Sequence, residues 1–219
     1  MIYTFWESSM PGYIELCLET WKFPFVILNY DNVLQYTDID LERLKRFTLP
    51  QIADCVRVHV LRDNGGYWLD ADTIVTGDLP TKTILGDNET RINTCGFLHT
   101  EPQSEMFVEW AKHQDKIIEG EKTSLWWALM ANGFTDHYLY EHREIKIGDV
   151  LPYWLETDNF ENRQEKYVNF YFRQNLEIKE LPDMIMLHNS WTPKRYKRRS
   201  RAEVFERDCT LTNIFRELI

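Results

Sequence analysis

Ala53-Asp54-Cys55-Val56-Arg57, continued by Leu61 and then by Gly65-Gly66-Tyr67-Trp68-Leu69-Asp70-Ala71-Asp72, is the stretch on which both fold and chemistry turn. Pro50 opens a helix whose apolar side is Ile52, Ala53, Val56 and Val60, because a first-turn proline gives up an N–H that has no helical partner. Gly65-Gly66 closes that helix by supplying the left-handed backbone its C-terminus prefers. Tyr67 to Leu69 reads as a short strand leading into Asp70-Ala71-Asp72, and Thr73 to Thr76 is extended again. A strand that ends in two carboxylates flanking one small residue sets oxygen ligands at a sheet's carboxyl edge, where open α/β sheets bind ligands. Such hard oxygens suit Mg2+ or Mn2+, either of which grips a diphosphate.

Asp-x-Asp alone also arises by chance in loops, and the upstream residues narrow the choice. Asp54 and Arg57 are three apart on the helix and share a face offset from the apolar one. They read either as an intrahelical ion pair worth about 0.3 kcal/mol, or as an arginine held so that its planar fork meets ligand oxygens. The residues themselves leave both readings open.

Outward from this stretch the pattern is α/β. Ile2 to Trp6 is a buried strand, Pro11 starts a helix with Ile14, Cys17, Leu18 and Trp21 at helical spacing, and Phe25 to Leu28 is a second strand. Asp40 caps a short helix through Phe47. Arg91 to Leu98 reads as one strand, and helices follow over Pro102–Ile118 and Lys122–Asn132. Asp136 to Glu180 has no clear order. Met184 to Leu187 is an apolar strand running into His188, and Val204, Leu211, Ile214, Phe215 and Leu218 suggest a closing amphipathic helix. With no internal repeat or low-complexity linker, one α/β domain over residues 1–219 is the economical expectation.

Composition excludes some functions. A net charge of −10 is the wrong sign for a nucleic-acid binder, which releases phosphate counterions with a basic footprint. Against that balance, Lys194, Arg195, Lys197, Arg198, Arg199 and Arg201 crowd one window, as a solvated helix start or an anion-binding edge. Cys17, Cys55, Cys95 and Cys209 lack any paired spacing and read as small buried apolar residues, so the expected setting is a reducing, cytoplasmic one. No apolar run approaches the ~18 residues of a membrane span and no signal peptide precedes the first strand, so the expectation is a soluble domain or a piece cut from something larger.

The ordered run from Ala53 to Asp72 resembles the signature of DXD-containing glycosyltransferases, in particular glycosyltransferase family 32 with its capsular-polysaccharide and large-DNA-virus relatives. Phe5-Trp6 is similar to that group's first strand, and His188-Asn189-Ser190-Trp191 to its closing motif. The resemblance implies a GT-A fold: a single Rossmann-like nucleotide-binding domain with a mixed central sheet. It implies that Asp72, and less directly Asp70, hold the metal and the donor sugar, and that Asp54 and Arg57 contact the sugar's hydroxyls. Phe5 and Trp6 would lie near the nucleoside, with Trp68, Ala71, Ser190, Trp191 and Lys194 completing the donor site. Trp68 stands where the relatives often carry tyrosine.

His188, at a strand's carboxyl end, is either a packed structural residue or a metal ligand, since imidazole suits Mn2+. If it reaches the metal, the segment after it folds over the diphosphate and its basic residues meet the leaving charge. The implied reaction is transfer of a hexose from a nucleoside-diphosphate sugar to a glycan or other hydroxyl acceptor, with Mn2+ favoured over Mg2+. By analogy UDP-glucose leads GDP-mannose as donor, and retention of anomeric configuration is expected. Two other classes stay open. One is a binding module for nucleotide sugars or glycans that has lost turnover. The other is a haloacid-dehalogenase-type phosphatase reading Asp70-Ala71-Asp72-Thr73 as its nucleophile loop, for which Lys146 and Asp149 make poor partners.

Overall fold

A computed structural model describes residues 1–79, 81, 86, 87, 92, 93, 95–120, 130, 134 and 162–219. The chain divides into two compact units, each assembled from separate segments. Met1–Glu7, Phe23–Asp70 and Pro80–Gly148 make the first, and Ser8–Lys22, Ala71–Leu79 and Asp149–Ile219 the second.

In the first unit β1 (Ile2–Phe5) lies between β2 (Phe25–Leu28) and β3 (Gly66–Leu69) and is parallel to both, while β7 (Phe97–Thr100) pairs antiparallel with β3. All four residues of β1 are buried, the continuous pattern of a central strand covered on both faces. Since β1, β2 and β3 run the same way, Phe5, Leu28 and Leu69 end at one sheet edge, and the chain leaves β3 there into Asp70.

Helix α1 (Gly12–Glu19) belongs to the second unit, whereas α2 (Leu41–Leu44), capped by Asp40, and α3 (Leu49–Asn64) belong to the first. At the start of α3, Gln51 Oε1 accepts from both the N–H and the hydroxyl of Thr48. At its end Gly65 turns with φ +63° and Gly66 follows with φ +88°. Ile52, Cys55, Val56, Val58, Val60 and Leu61 of α3 enter a core shared with β1 and with Phe107, Trp110, Ala111 and Ile118 of α4 (Glu105–Glu119). Polar ties reinforce this packing: Gln114 donates to the Asp54 carbonyl at 3.0 Å, and His59 Nε2 meets Asp115 at 2.9 Å.

The single strand expected over Arg91–Leu98 is two. Ile92–Asn93 (β6) pairs with Gly86–Asp87 (β5), and β7 runs on to Thr100 because β3 opposite it, Leu69 against Phe97 through Gly66 against Thr100, sets its length. The helix expected over Lys122–Asn132 lies outside the described residues except for Met130, as do Lys146 and Asp149.

In the second unit β4 (Thr73–Val75) pairs antiparallel with β8 (Met184–Met186). The segment after α1 is tied to β4: Trp21 Nε1 donates to the Thr73 carbonyl at 2.8 Å, and Thr20 Oγ1 accepts from the Val75 N–H at 2.9 Å. Helix α5 (Arg163–Val168) continues into a π turn over Asn169–Arg173. The closing amphipathic helix is broken into α7 (Arg201–Phe205) and α8 (Thr210–Leu218), preceded by the short α6 (Lys194–Lys197). A capping box between Ser200 and Glu203 starts α7 afresh, and Thr210 at the head of α8 is drawn to the Gln174 carbonyl at 2.8 Å. The protein is thus mixed α/β with parallel and antiparallel pairing. No helix among the described residues is long and apolar enough to cross a membrane.

Candidate active site

The first unit builds a bracket around Asp70. Its N–H donates to the Gly96 carbonyl at 2.8 Å, which carries the β3 ladder one step past the strand. Its Oδ1 accepts from the Trp68 indole at 2.9 Å and from Arg57 Nη2 at 3.2 Å. The same Nη2 meets Asp54 Oδ1 at 2.9 Å, Nη1 donates to the Cys95 carbonyl, and the guanidinium lies over the Trp68 ring, 5.2 Å from its centroid. Arg57 is 6% exposed, whereas the Asp70 side chain is 35% exposed. The pair read from Asp54 and Arg57 is therefore no surface ion pair. It is a buried brace behind Asp70, and its fork is given to protein oxygens.

Asp54 sits in that brace at a cost. Burial, the first cause, and the Asp70 charge push its carboxyl up to about 6, against the downward pull of Arg57. Trp68, 1% exposed, supports Asp70 from within, so the position needs an N–H or O–H donor and the indole supplies one. Phe5 is buried, edge-on to Tyr30 with centroids 5.9 Å apart. Trp6 continues β1 by donating its backbone N–H to the Leu28 carbonyl at 2.9 Å. Its buried indole nitrogen has no hydrogen-bond partner among the described residues.

The boundary between the units falls between Asp70 and Ala71. In the second unit Asp72 is met by the segment that follows β8. The Leu187 N–H donates to the Asp72 carbonyl at 3.0 Å, and the Asn189 N–H donates to Asp72 Oδ2 at 2.7 Å. The residues from His188 to Thr192 form a tight turn, with the N–H groups of Trp191 and Thr192 both directed to the His188 carbonyl. The His188 ring packs on Trp191, centroids 4.0 Å apart, and edge-on to Tyr167 at 5.8 Å. Ser190 is exposed at the tip of the turn, and Lys194 and Arg195 are exposed on α6. Lys197 is half-buried, and burial lowers its ammonium's pKa while the Asp72 charge pulls it the other way.

Tyr13, whose hydroxyl donates to Asn189 Oδ1 at 2.5 Å, belongs to this cluster with Tyr167, Asn189 and Lys197, and sequence reading assigned none of the four an individual role. Lys197 stood only as one of a basic run, and Asn189 only as part of a motif. Tyr13 carried no signal of its own, being one more apolar position on α1.

A family model described as capsular polysaccharide synthesis protein matches residues 2–180. The chain belongs to this family. The match bears out the resemblance read from Ala53–Asp72, and it spans the Asp70 brace, Asp72 and β4 but stops short of β8 and the His188–Thr192 turn. Membership in the capsular polysaccharide synthesis family supports a glycosyltransferase. A solved structure titled PaToxG Glycosyltransferase is similar at 17% identity, over 64% of this chain and 67% of that one, with a TM-score of 0.43, a likeness too slight to argue from. No curated protein sequence matches significantly.

Proposed function

We propose that this capsular polysaccharide synthesis family member transfers a hexose from a nucleoside-diphosphate sugar, UDP-linked and glucose first, to a hydroxyl of a glycan or similar acceptor. The observation that carries the reading is the way β3 ends. Asp70 leaves the carboxyl edge of three parallel strands with one oxygen held by Trp68 and Arg57, and Asp72, two residues on, has one oxygen held by Asn189. Chain geometry alone keeps the two Cα atoms within about 7 Å. A parallel strand set ending at such an edge also favours the GT-A reading, with the chain acting as one catalytic domain.

The donor chemistry fits a hard divalent cation, Mn2+ before Mg2+. Among the described residues no group of three or more His, Cys, Asp or Glu side chains gathers as a protein cage. One or two carboxylates, with water and the donor's diphosphate completing the shell, is how small divalent cations bind in phosphate-handling sites. When bound, the cation would act as a Lewis acid on the leaving diphosphate.

The chain's own residues do the rest. Trp68 and Arg57 hold one oxygen of Asp70, and Asn189 holds one of Asp72. The Trp6 indole N–H, unpaired among the described residues, suits an acceptor atom of the nucleoside, since a buried donor left unmatched is costly. Ser190 and Trp191 within the turn that grips Asp72, and Lys194 and Lys197 after it, are assigned to the diphosphate. His188, next to Asn189, is assigned as the nitrogen ligand, and retention of configuration is carried over from the family resemblance. Four free, buried cysteines suit a reducing, cytoplasmic setting.

A thermal-shift screen of nucleotide sugars in MnCl2 or EDTA tests the reading, because a ligand of the native state raises its melting point by mass action. UDP-glucose should raise it only with MnCl2, and Asp72→Asn should lose that increment while melting near wild type without ligand. A melting point that no nucleotide sugar moves would remove the proposal. For His188→Ala, Mn2+ affinity equal to wild type would leave that ring a packing role alone.

A further inference from the structure

Tyr13 lies on α1, outside every motif read from the sequence, and is fully buried. Its hydroxyl nevertheless ends on the turn that grips Asp72, donating to Asn189 Oδ1 at 2.5 Å. Asn189 is thereby held at two points: its side chain by Tyr13 and its backbone N–H by Asp72 Oδ2 at 2.7 Å. The turn is gripped a second time by Tyr167, whose hydroxyl accepts from the His188 N–H at 3.2 Å and shares a hydrogen bond with Thr192 Oγ1 at 2.9 Å. Both tyrosines are buried, and burial with the nearby Asp72 charge keeps the Tyr13 hydroxyl protonated. In its bond to Asn189 the hydroxyl is the donor.

We propose that Tyr13 is a positioning residue for Asp72, acting through the Asn189 side chain to set which carboxylate oxygen faces the donor site. This rests on the reading of Asp72 as a donor-site carboxylate. Asn189 Oδ1 accepts from a hydroxyl anchored in α1, which fixes the rotamer and through it the backbone of the turn. The Asn189 N–H then holds Oδ2, which restrains the rotation of the Asp72 carboxylate. Groups that orient a ligating carboxylate in this way change metal affinity by roughly 10–100-fold when removed, although they touch neither metal nor substrate.

The test is a double-mutant cycle read by calorimetric titration of MnCl2 in the presence of UDP, with the melting point of each unliganded variant measured alongside. Tyr13→Phe removes only the hydroxyl, and Asn189→Ala removes its acceptor while leaving the backbone N–H on Asp72. Each should weaken Mn2+ binding about tenfold, and the double variant should fall well short of the product of the two losses, since both cut the Tyr13–Asn189 bond. Wild-type affinity in Tyr13→Phe, whatever its melting point, would leave the hydroxyl as packing and overturn the proposal. Losses that multiply in the double variant would also overturn it, because Tyr13 would then act by a route other than Asn189. If Tyr13→Phe does not fold, Asn189→Ala cuts the same bond from the half-buried side, and wild-type affinity there is equally fatal. Asp72→Asn separates this from the underlying reading: if it binds Mn2+ with UDP as wild type does, the functional reading fails, whereas if it alone loses binding, only the role of Tyr13 does.

Discussion

Arg57 gives its guanidinium to two carboxylates and a carbonyl, all in a place that is 6% exposed. A lysine ammonium is a point charge and cannot reproduce that planar arrangement. Arg57→Lys should therefore be nearly as damaging as Arg57→Ala, each losing about 3–5 kcal/mol of stability, because a buried carboxylate is left without its partner. Urea unfolding of both variants checks this, and a lysine variant as stable as wild type would return the pair to a simple helix contact. Asp54 adds a pH signature. Its carboxyl titrates near 6 in the folded chain against 3.8 ordinarily, so between those values the folded state binds more protons than the unfolded. Stability from this group is thus present below about pH 4 and declines as pH rises through about 6. The stability of Asp54→Asn relative to wild type should climb across that window and level off above it. A difference that stays flat from pH 4 to pH 7 would give Asp54 an ordinary carboxyl.

At the scale of elements, the ends of α3 and the strand after it were open to reading because local chemistry sets them. Thr48 and Gln51 start the helix and two left-handed glycines stop it. Both are closely fitted, Gly65 against Pro102 and Gly66 against Met1. A Cβ on Gly66 would lie 2.6 Å from the Met1 carbonyl oxygen, at φ +88°, just where β3 begins beside β1. Gly66→Ala should cost about 2–4 kcal/mol from strained backbone and overpacking together, measured by denaturant unfolding. A cost below about 0.5 kcal/mol, the range of neutral surface changes, would show that β3 can shift away. β7 was the harder element, since β3 rather than its own apolar run fixes where it ends. The break between α7 and α8 was hidden for a similar reason: the apolar spacing from Val204 to Leu218 tolerates one long helix, and the Gln174 carbonyl that claims the Thr210 N–H is distant in sequence.

Across the whole molecule, the chain passes between the two units after Glu7, Lys22, Asp70, Leu79 and Gly148. No single cut separates them. Truncation after Gly148 would leave β4 without β8, and would leave Gly12, whose added Cβ would meet the Arg201 backbone nitrogen at 2.3 Å, without the segment it is fitted to. The fragment 1–148 should therefore lose the cooperative unfolding of the full chain and expose apolar surface, seen as dye binding and a broadened melt. A sharp melt at the full-length temperature would mean that residues 149–219 contribute nothing to folding of the rest.

What the sequence by itself determined is local: the helix that Pro50 opens and Gly65-Gly66 closes, the short strand into Asp70-Ala71-Asp72, the apolar strand before His188, and the motif that marks the capsular polysaccharide synthesis family. Caps, glycines, alternation and spacing act within a few residues, so they can be read along the chain. The i, i+3 spacing likewise ensures that Arg57 can reach Asp54. Only the tertiary structure decided that Arg57 also reaches Asp70, that Trp68 donates to it, and that Tyr13 meets Asn189 across 176 positions. Those contacts depend on which strand lies beside which and on how a buried hydroxyl or guanidinium is satisfied once water has left, and no periodicity within one segment records the partner that satisfies it.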